Sequence, residues 1–100
     1  MKFNHAKTEE ILNIFEEVNK IPRCSKNEEK IGQWLMDWAA RHNFEAVQDK
    51  VKNVVIRVPA SPGYENGPGV ILQGHMDMVC EKTKTSTHDF ENDPIKFVFD

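Results

Sequence analysis

A short apolar run that ends at a histidine constrains the fold of this chain most. Residues 70–72 are Val-Ile-Leu, and His75 and Asp77 follow directly after Gly74. A run without polar alternation is typical of an interior strand that is covered on both faces. Such covering needs helices as well as neighbouring strands, so the run predicts an α/β protein in which His75 stands at the end of an interior strand.

Two helices are predicted before this run. The first extends from Thr8, as its N-cap, to about Asn19, and the dipeptide at residues 21–22, Ile-Pro, ends it because proline cannot continue the hydrogen-bond ladder. The second is predicted to begin with a capping box in which Ser25 and Glu28 satisfy each other's backbone donors. Its apolar stripe is Ile31, Trp34, Leu35, Trp38, Ala39 and His42. We expect both tryptophans in the core rather than on a ligand-stacking platform.

The middle of the chain predicts an antiparallel β-hairpin. Residues 44–48 alternate as a half-buried strand, residues 49–53 are a polar turn, and residues 54–58 are a more apolar strand. Residues 59–69 hold three of the five prolines and three of the five glycines, which indicates an exposed loop but no domain boundary. Residues 95–99 predict a final strand. We treat residues 1–100 as one segment, since neither side of the loop at residues 59–69 could fold alone.

Composition excludes several classes of protein. The chain of 100 residues has a formal net charge of −3 and a pI near 5.8, so no basic surface attracts nucleic acid. It has no apolar stretch long enough to span a membrane and no secretory signal pattern at its N-terminus. We therefore expect a cytoplasmic protein. Cys24 and Cys80 lie far apart without a CxxC spacing, and we expect reduced structural thiols rather than a disulfide.

His75 and Asp77 are the candidate chemical residues. A neutral imidazole at a strand end is a good metal ligand, and a carboxylate two residues later can accept the other ring N–H and fix the tautomer. Spacing alone leaves a metal ligand and a hydrogen-bonded core histidine equally open. A hydrolytic zinc needs about three protein ligands, and no second convincing ligand set precedes Asp100. We therefore interpret the chain as the front part of a metalloenzyme.

A longer pattern around this motif is more specific. Its residues are Val70-Ile71-Leu72-Gln73-Gly74-His75-Met76-Asp77-Met78-Val79, Glu81-Lys82, His88-Asp89-Phe90 and Asp93-Pro94-Ile95, with Ile21-Pro22, the helix start at residues 25–29, Trp38-Ala39 and Asn53 upstream. Taken together, they resemble the N-terminal part of aminoacyl-histidine dipeptidase (Xaa-His dipeptidase), a family of two-zinc exopeptidases.

The resemblance implies a fold, a site and an activity. The fold would be part of a three-layer zinc-exopeptidase catalytic domain, with two N-terminal helices, a hairpin and an interior strand ending at the metal ligand. His75 would bind zinc, replaceable by Co²⁺ or Mn²⁺, and Asp77 would be the catalytic-site carboxylate that orients it. In this family the bridging carboxylate, the general base and the other ligands come from later in the chain. The complete enzyme would hydrolyse Xaa-His and similar dipeptides, whereas this segment would be inactive.

Other polar residues receive structural interpretations. His88 and Asp89 predict loop hydrogen bonds rather than a ligand pair. His42 lies near a helix C-terminus, where a protonated imidazole is favourable. We expect His5 to lie in a mobile tail and Cys80 to be an inert thiol. Glu28 and Glu29 belong to a helix start and are not a catalytic pair.

Two alternatives remain open from the sequence. The chain could be a non-catalytic standalone α/β interaction module, or a fragment of a related aminopeptidase or aminoacylase. In the favoured hypothesis its partner is a short peptide substrate, with no nucleic acid or membrane partner. An interior strand without full covering also predicts homo-oligomers or self-association of the segment, and weak zinc affinity.

Overall fold

The computed structural model describes residues 5–98 and contains helices and a small antiparallel sheet. In chain order the elements are α1 (Ala6–Asn19), α2 (Glu29–Arg41), β1 (Glu45–Gln48) and β2 (Val54–Arg57). The two helices and the hairpin predicted from the sequence are confirmed, so the protein is α/β. No helix among residues 5–98 is both long and apolar enough to cross a bilayer.

The core lies between α2 and the hairpin. Ile31 is 2% exposed and Ala39 is fully buried, and both lie on the predicted apolar stripe of α2. Trp34 and Trp38 are only half-buried, so the prediction that they lie in the core holds only in part. They line an open groove between α1 and α2, where Trp38 stacks on the His42 ring at 4.2 Å between centroids.

The hairpin has a regular antiparallel register. Glu45 pairs with Arg57 and Gln48 pairs with Val54, which leaves a tight polar connection between the strands. The Asp49 carboxylate accepts hydrogen bonds from the Asn53 side chain at 2.9 Å and the Asn53 backbone N–H at 2.8 Å. These bonds favour the charged form and lower the pKa of Asp49. An aspartate at the start of the turn thus closes the hairpin.

The starts of both helices differ from the predictions. His5 rather than Thr8 is the N-cap of α1, and its Nδ1 accepts a hydrogen bond from the Lys7 N–H at 3.1 Å. His5 therefore lies at the start of α1, and its mobility stays a prediction. The predicted Ser25–Glu28 capping box is also wrong, because α2 begins at Glu29. Glu28 instead accepts a hydrogen bond from the Lys26 N–H at 2.8 Å, within the turn before the helix.

The predicted interior strand does not form among the described residues. Val70, Ile71 and Leu72 are 81%, 92% and 94% exposed and belong to no strand. Among residues 5–98, no strand lies beside this run. A strand forms only when a neighbouring strand satisfies its backbone N–H and C=O groups. The prediction that His75 stands at the end of an interior strand is therefore wrong for the described residues.

The last segment also lacks its predicted strand over the residues that are described. Residues 95–98 form no strand, and residues 99 and 100 of this prediction lie outside the described part. The segment instead packs on α1. The Ile95 N–H donates to the Asn19 carbonyl at 2.9 Å, and Phe97 stacks on Phe15 with 5.2 Å between ring centroids.

A disulfide joins Cys24 to Cys80, so the prediction of reduced thiols is wrong. Cys24 forms a parallel β-bridge with Met78. This pairing brings the Cα atoms of Cys24 and Cys80 to 5.6 Å. That distance is within the range in which a disulfide can form. The two residues are 56 positions apart, and sequence spacing gave no sign of their proximity.

Candidate metal-binding site at His75

His75 and Asp77 form a hydrogen-bonded pair at the protein surface. The His75 Nδ1 lies 2.9 Å from the Asp77 Oδ1, and the His75 side chain is 83% exposed. A carboxylate accepts hydrogen bonds, so this contact favours the tautomer with its proton on Nδ1. The lone pair is then on Nε2, for which no partner is found among residues 5–98. The contact expected from the His-x-Asp spacing is present.

Asp77 is held from two sides. Its Oδ1 accepts from His75, and its Oδ2 accepts a hydrogen bond from the Ser25 hydroxyl at 2.5 Å. The Ser25 bond, followed by the His75 bond, lowers the pKa of Asp77. Because both bonds favour the carboxylate form, Asp77 is an acceptor at neutral pH. Its side chain is 31% exposed, far less than that of His75.

The segment around Ser25 is fastened to the His-x-Asp motif by backbone hydrogen bonds. The Met78 N–H donates to the Arg23 carbonyl at 2.8 Å, and the Ser25 N–H donates to the Met78 carbonyl at 3.1 Å. The Cys24–Cys80 disulfide links the same two segments. The loop before α2 and the residues after the apolar run therefore form one local unit around Asp77.

Sequence reasoning missed the role of Ser25. The serine stands three residues before Glu28, which is the spacing of a capping box, and this local pattern explained it without a distant partner. No signal in the sequence connects Ser25 with Asp77, which is 52 positions away. The link arises only when the two segments pair.

Residues 5–98 supply one well-oriented ligand atom, the His75 Nε2, and not a complete metal site. Among residues 5–98, no group of three or more His, Cys, Asp or Glu side chains is arranged to hold a metal ion. The exposed Nε2 of His75 fits a single ligand position, since metal-bound histidines usually donate their other ring N–H to a carboxylate. The chemistry of this donor fits zinc.

Asp89 is part of a loop network, as predicted, whereas the His88 ring Nε2 is buried with no hydrogen-bond partner among residues 5–98. The Asp89 carboxylate accepts hydrogen bonds from the Glu91 N–H at 2.9 Å and the Asn92 side chain at 2.8 Å. The His88 ring packs edge-on against Phe90 with 4.7 Å between centroids. At the end of α2, the His42 Nδ1 lies 2.8 Å from the Trp38 carbonyl, which agrees with its predicted place at a helix C-terminus.

Known proteins similar to this chain are peptidases by name. No protein-family model matches the sequence. The cytosol non-specific dipeptidase of Escherichia coli K12 is 40% identical over 86 residues, which are 86% of this chain and 18% of the relative. A probable carboxypeptidase of Arthroderma gypseum is 29% identical over 98 residues, covering 87% of this chain and 21% of the relative.

A solved structure agrees with the sequence relatives. The crystal structure of aminoacylhistidine dipeptidase from Vibrio alginolyticus matches with a TM-score of 0.83 and 42% identity, covering 88% of this chain and 18% of that one. The chain thus spans about a fifth of the length of the curated relatives that it matches. Over most of its own length, the chain is thus similar in sequence and in fold to a part of an aminoacylhistidine dipeptidase.

Proposed function

We propose that the chain is the N-terminal segment of a cytoplasmic zinc dipeptidase that hydrolyses Xaa-His and similar dipeptides. The observation that carries the proposal is the hydrogen bond between His75 and Asp77, in a chain similar over most of its length to a cytosol non-specific dipeptidase and an aminoacylhistidine dipeptidase. The substrate of the complete protein would be a short peptide, with no nucleic acid or membrane as partner.

In this proposal His75 is a metal ligand through Nε2, and Asp77 holds the proton on Nδ1. When bound, zinc lowers the pKa of a coordinated water and polarises the peptide carbonyl, and Co²⁺ or Mn²⁺ would substitute for it. Asp77 also keeps the imidazole in one orientation and increases its basicity. The remaining metal ligands and the general base would come from protein outside these 100 residues.

The chain alone is expected to be inactive. Purified chain incubated with zinc and a panel of Xaa-His dipeptides should release no more histidine than a zinc blank, because one histidine ligand cannot assemble a hydrolytic site. A His75→Ala variant is the matched control. Turnover above the blank that disappears in this variant would overturn the proposed inactivity.

The metal role of His75 is tested by binding. Zinc titrated into ¹⁵N-labelled chain should shift or broaden the His75 ring resonances with weak affinity, and His75→Ala should abolish the effect. His42 is a control within the same sample, because its ring stacks on Trp38 and Phe44 at the end of α2. If zinc perturbs His42 and not His75, the proposed metal ligand is wrong.

Self-association is proposed for the chain when it is separated from the rest of such an enzyme. The exposed run at residues 70–72 presents apolar side chains that a second copy could cover. Sedimentation velocity should therefore show a weight-average mass that rises with concentration, and Ile71→Lys should reduce that rise. A monodisperse monomer at high concentration would contradict the proposal.

The length of the natural gene provides an independent test of the whole proposal. If the coding sequence continues beyond codon 100 into a Gly-Ala-Asp-Asn-like segment and a Glu-Glu pair, the enzyme hypothesis is supported. A natural stop codon at that point would support a small interaction module instead.

A further inference from the structure

We propose that Ser25 is a positioning residue for His75 and acts through the Asp77 carboxylate. The inference deepens the proposed function, and its metal-binding consequence rests on that function. The order of contacts is Ser25 Oγ to Asp77 Oδ2 at 2.5 Å, then Asp77 Oδ1 to His75 Nδ1 at 2.9 Å. One carboxylate is thus shared between a hydroxyl donor and an imidazole donor.

The shared carboxylate explains how an exposed imidazole can have a fixed orientation. The His75 side chain is 83% exposed, so packing alone does not hold the ring. The torsion that rotates an aspartate carboxylate is broad, and a carboxylate bonded at one oxygen only could turn away from the ring. The Ser25 bond at the second oxygen restricts this rotation and keeps Oδ1 directed at Nδ1.

The Ser25 hydroxyl has one proton and two acceptors nearby. Asp77 Oδ2 lies at 2.5 Å and the Met78 carbonyl at 3.3 Å. A hydroxyl bonded to a carboxylate has a typical separation of about 2.5 to 2.7 Å and is stronger than a bond between neutral groups. The proton therefore belongs to the Asp77 contact, and the carbonyl contact is secondary.

The backbone places Ser25 independently of its side chain. Ser25 occupies the second position of a turn in which the Asn27 N–H donates to the Cys24 carbonyl at 2.8 Å. The third position, Lys26, has a φ of 71°, which is the conformation that a type II turn requires there. The Ser25 N–H bond to Met78 is also a backbone bond. Removing the hydroxyl should leave this frame intact.

The test is the tautomer of His75, which a purely structural role of Ser25 would not change. In ¹⁵N-labelled chain without metal, at a pH where histidine side chains are neutral, the ring nitrogen shifts report which nitrogen carries the proton. We expect wild-type His75 to be mainly protonated on Nδ1. Ser25→Ala should lower that fraction at least twofold, and Ser25→Thr, which restores a hydroxyl, should return it toward the wild-type value.

Ser61→Ala is the matched control, since it removes the hydroxyl of another exposed serine, in the loop at residues 59–69. It should leave the tautomer unchanged. The proposal is overturned if Ser25→Ala keeps the wild-type tautomer fraction, or if Ser25→Thr behaves like alanine. It is also overturned if Ser25→Ala shifts the backbone amides of Cys24 and Met78 as strongly as the ring nitrogens, because the serine then has a structural role.

Zinc titration separates this inference from the proposed function. If zinc does not perturb His75 in the wild-type chain, the metal role fails, while the tautomer data without metal still decide the role of Ser25. If zinc binds at His75, Ser25→Ala should raise its dissociation constant about threefold to tenfold, less than the roughly 10- to 100-fold typical of residues that contact a metal ligand directly. An unchanged constant would show that Ser25 does not act through Asp77.

Discussion

Residues 29–57 and residues 70–98 contain similar kinds of side chain but differ in structure. The first region has a helix packed on a two-stranded sheet, with Ile31 and Ala39 buried between them. The second forms no helix or strand of its own, and its most apolar run is almost fully exposed. It is held by bonds to α1 and to the loop before α2, and by the disulfide.

The difference shows how the sequence distance between partners affects a prediction. Helix α2 and the hairpin find their partners within thirty positions or so, at low cost in loop-closure entropy. Residues 70–72 carry a strand-like pattern, but no neighbouring strand is present in the described part of the chain. An apolar pattern indicates that a segment is suited to burial. Whether the segment is buried depends on the helices and strands that lie beside it.

The largest expected difference in stability between the two regions comes from replacing one isoleucine in each by alanine. Ile31→Ala should lower the free energy of unfolding by about 2 to 5 kcal/mol, because it leaves a cavity under α2. Ile71→Ala is the matched control and should change it by less than about 0.5 kcal/mol, since the side chain is 92% exposed. Urea denaturation followed by circular dichroism measures both. Equal effects would contradict the core that we describe.

Reduction of the Cys24–Cys80 disulfide should loosen the second region selectively. Closing a loop of this length, with partners 56 positions apart, stabilises a chain by about 2 to 4 kcal/mol. Hydrogen exchange in the presence of a phosphine reductant should therefore show faster exchange at the Ser25 and Met78 amides. The β1 and β2 amides serve as the internal reference. Loss of hairpin protection at the same rate would show that the two regions unfold together.

Acidification should weaken the hairpin turn. The pKa of Asp49 is lowered in the folded state. Its contribution to the free energy of unfolding is therefore fully present above the pKa of the unfolded chain, about 3.9, and is lost as the pH falls through the pKa of the folded state. The expected effect is smaller than that of Ile31→Ala, because the carboxylate is exposed. Asp49→Asn should remove this part of the acid dependence, measured as hairpin amide exchange between neutral and acidic pH. The same acid dependence in Asp49→Asn would assign it to another group.

The smallest expected effect concerns the close approach of α2 to β1. A Cβ added at Gly32 would lie 2.8 Å from the Gln48 side-chain nitrogen, the mobile end of a long side chain. Alanine is favoured over glycine inside a helix by about 1 kcal/mol. Gly32→Ala should thus change the free energy of unfolding by less than about 1 kcal/mol, in the stabilising direction, in thermal denaturation. A loss of several kcal/mol would mean that Gln48 cannot move aside.

Much of the local structure was predictable from patterns. The apolar stripe on α2 predicted that Ile31 and Ala39 are buried, and the proline at residue 22 predicted the end of α1. The start of α2 was not predictable in the same way. Ser25 fits a local cap, but its hydroxyl donates to Asp77, and α2 begins four residues later, at Glu29.

The candidate site was predictable only in its nearest contact. His75 and Asp77 are two positions apart, so their spacing allowed the hydrogen bond that the structure contains. The metal role of this pair remains a prediction from the resemblance. Ser25 and the disulfide involve partners separated by more than fifty positions, and one sequence carries no information about which distant segments pair.

By itself, the amino-acid sequence determined that two helices and a hairpin form in this order, and that His75 has a carboxylate close enough to orient it. These features depend on 3.6- and 2-residue periodicities and on neighbours within a few positions. The tertiary structure decided that Ser25 faces Asp77, that Cys24 meets Cys80, and that residues 70–72 remain exposed. The physical reason is that long-range pairing depends on the combined packing and backbone bonding of segments, which no local pattern encodes.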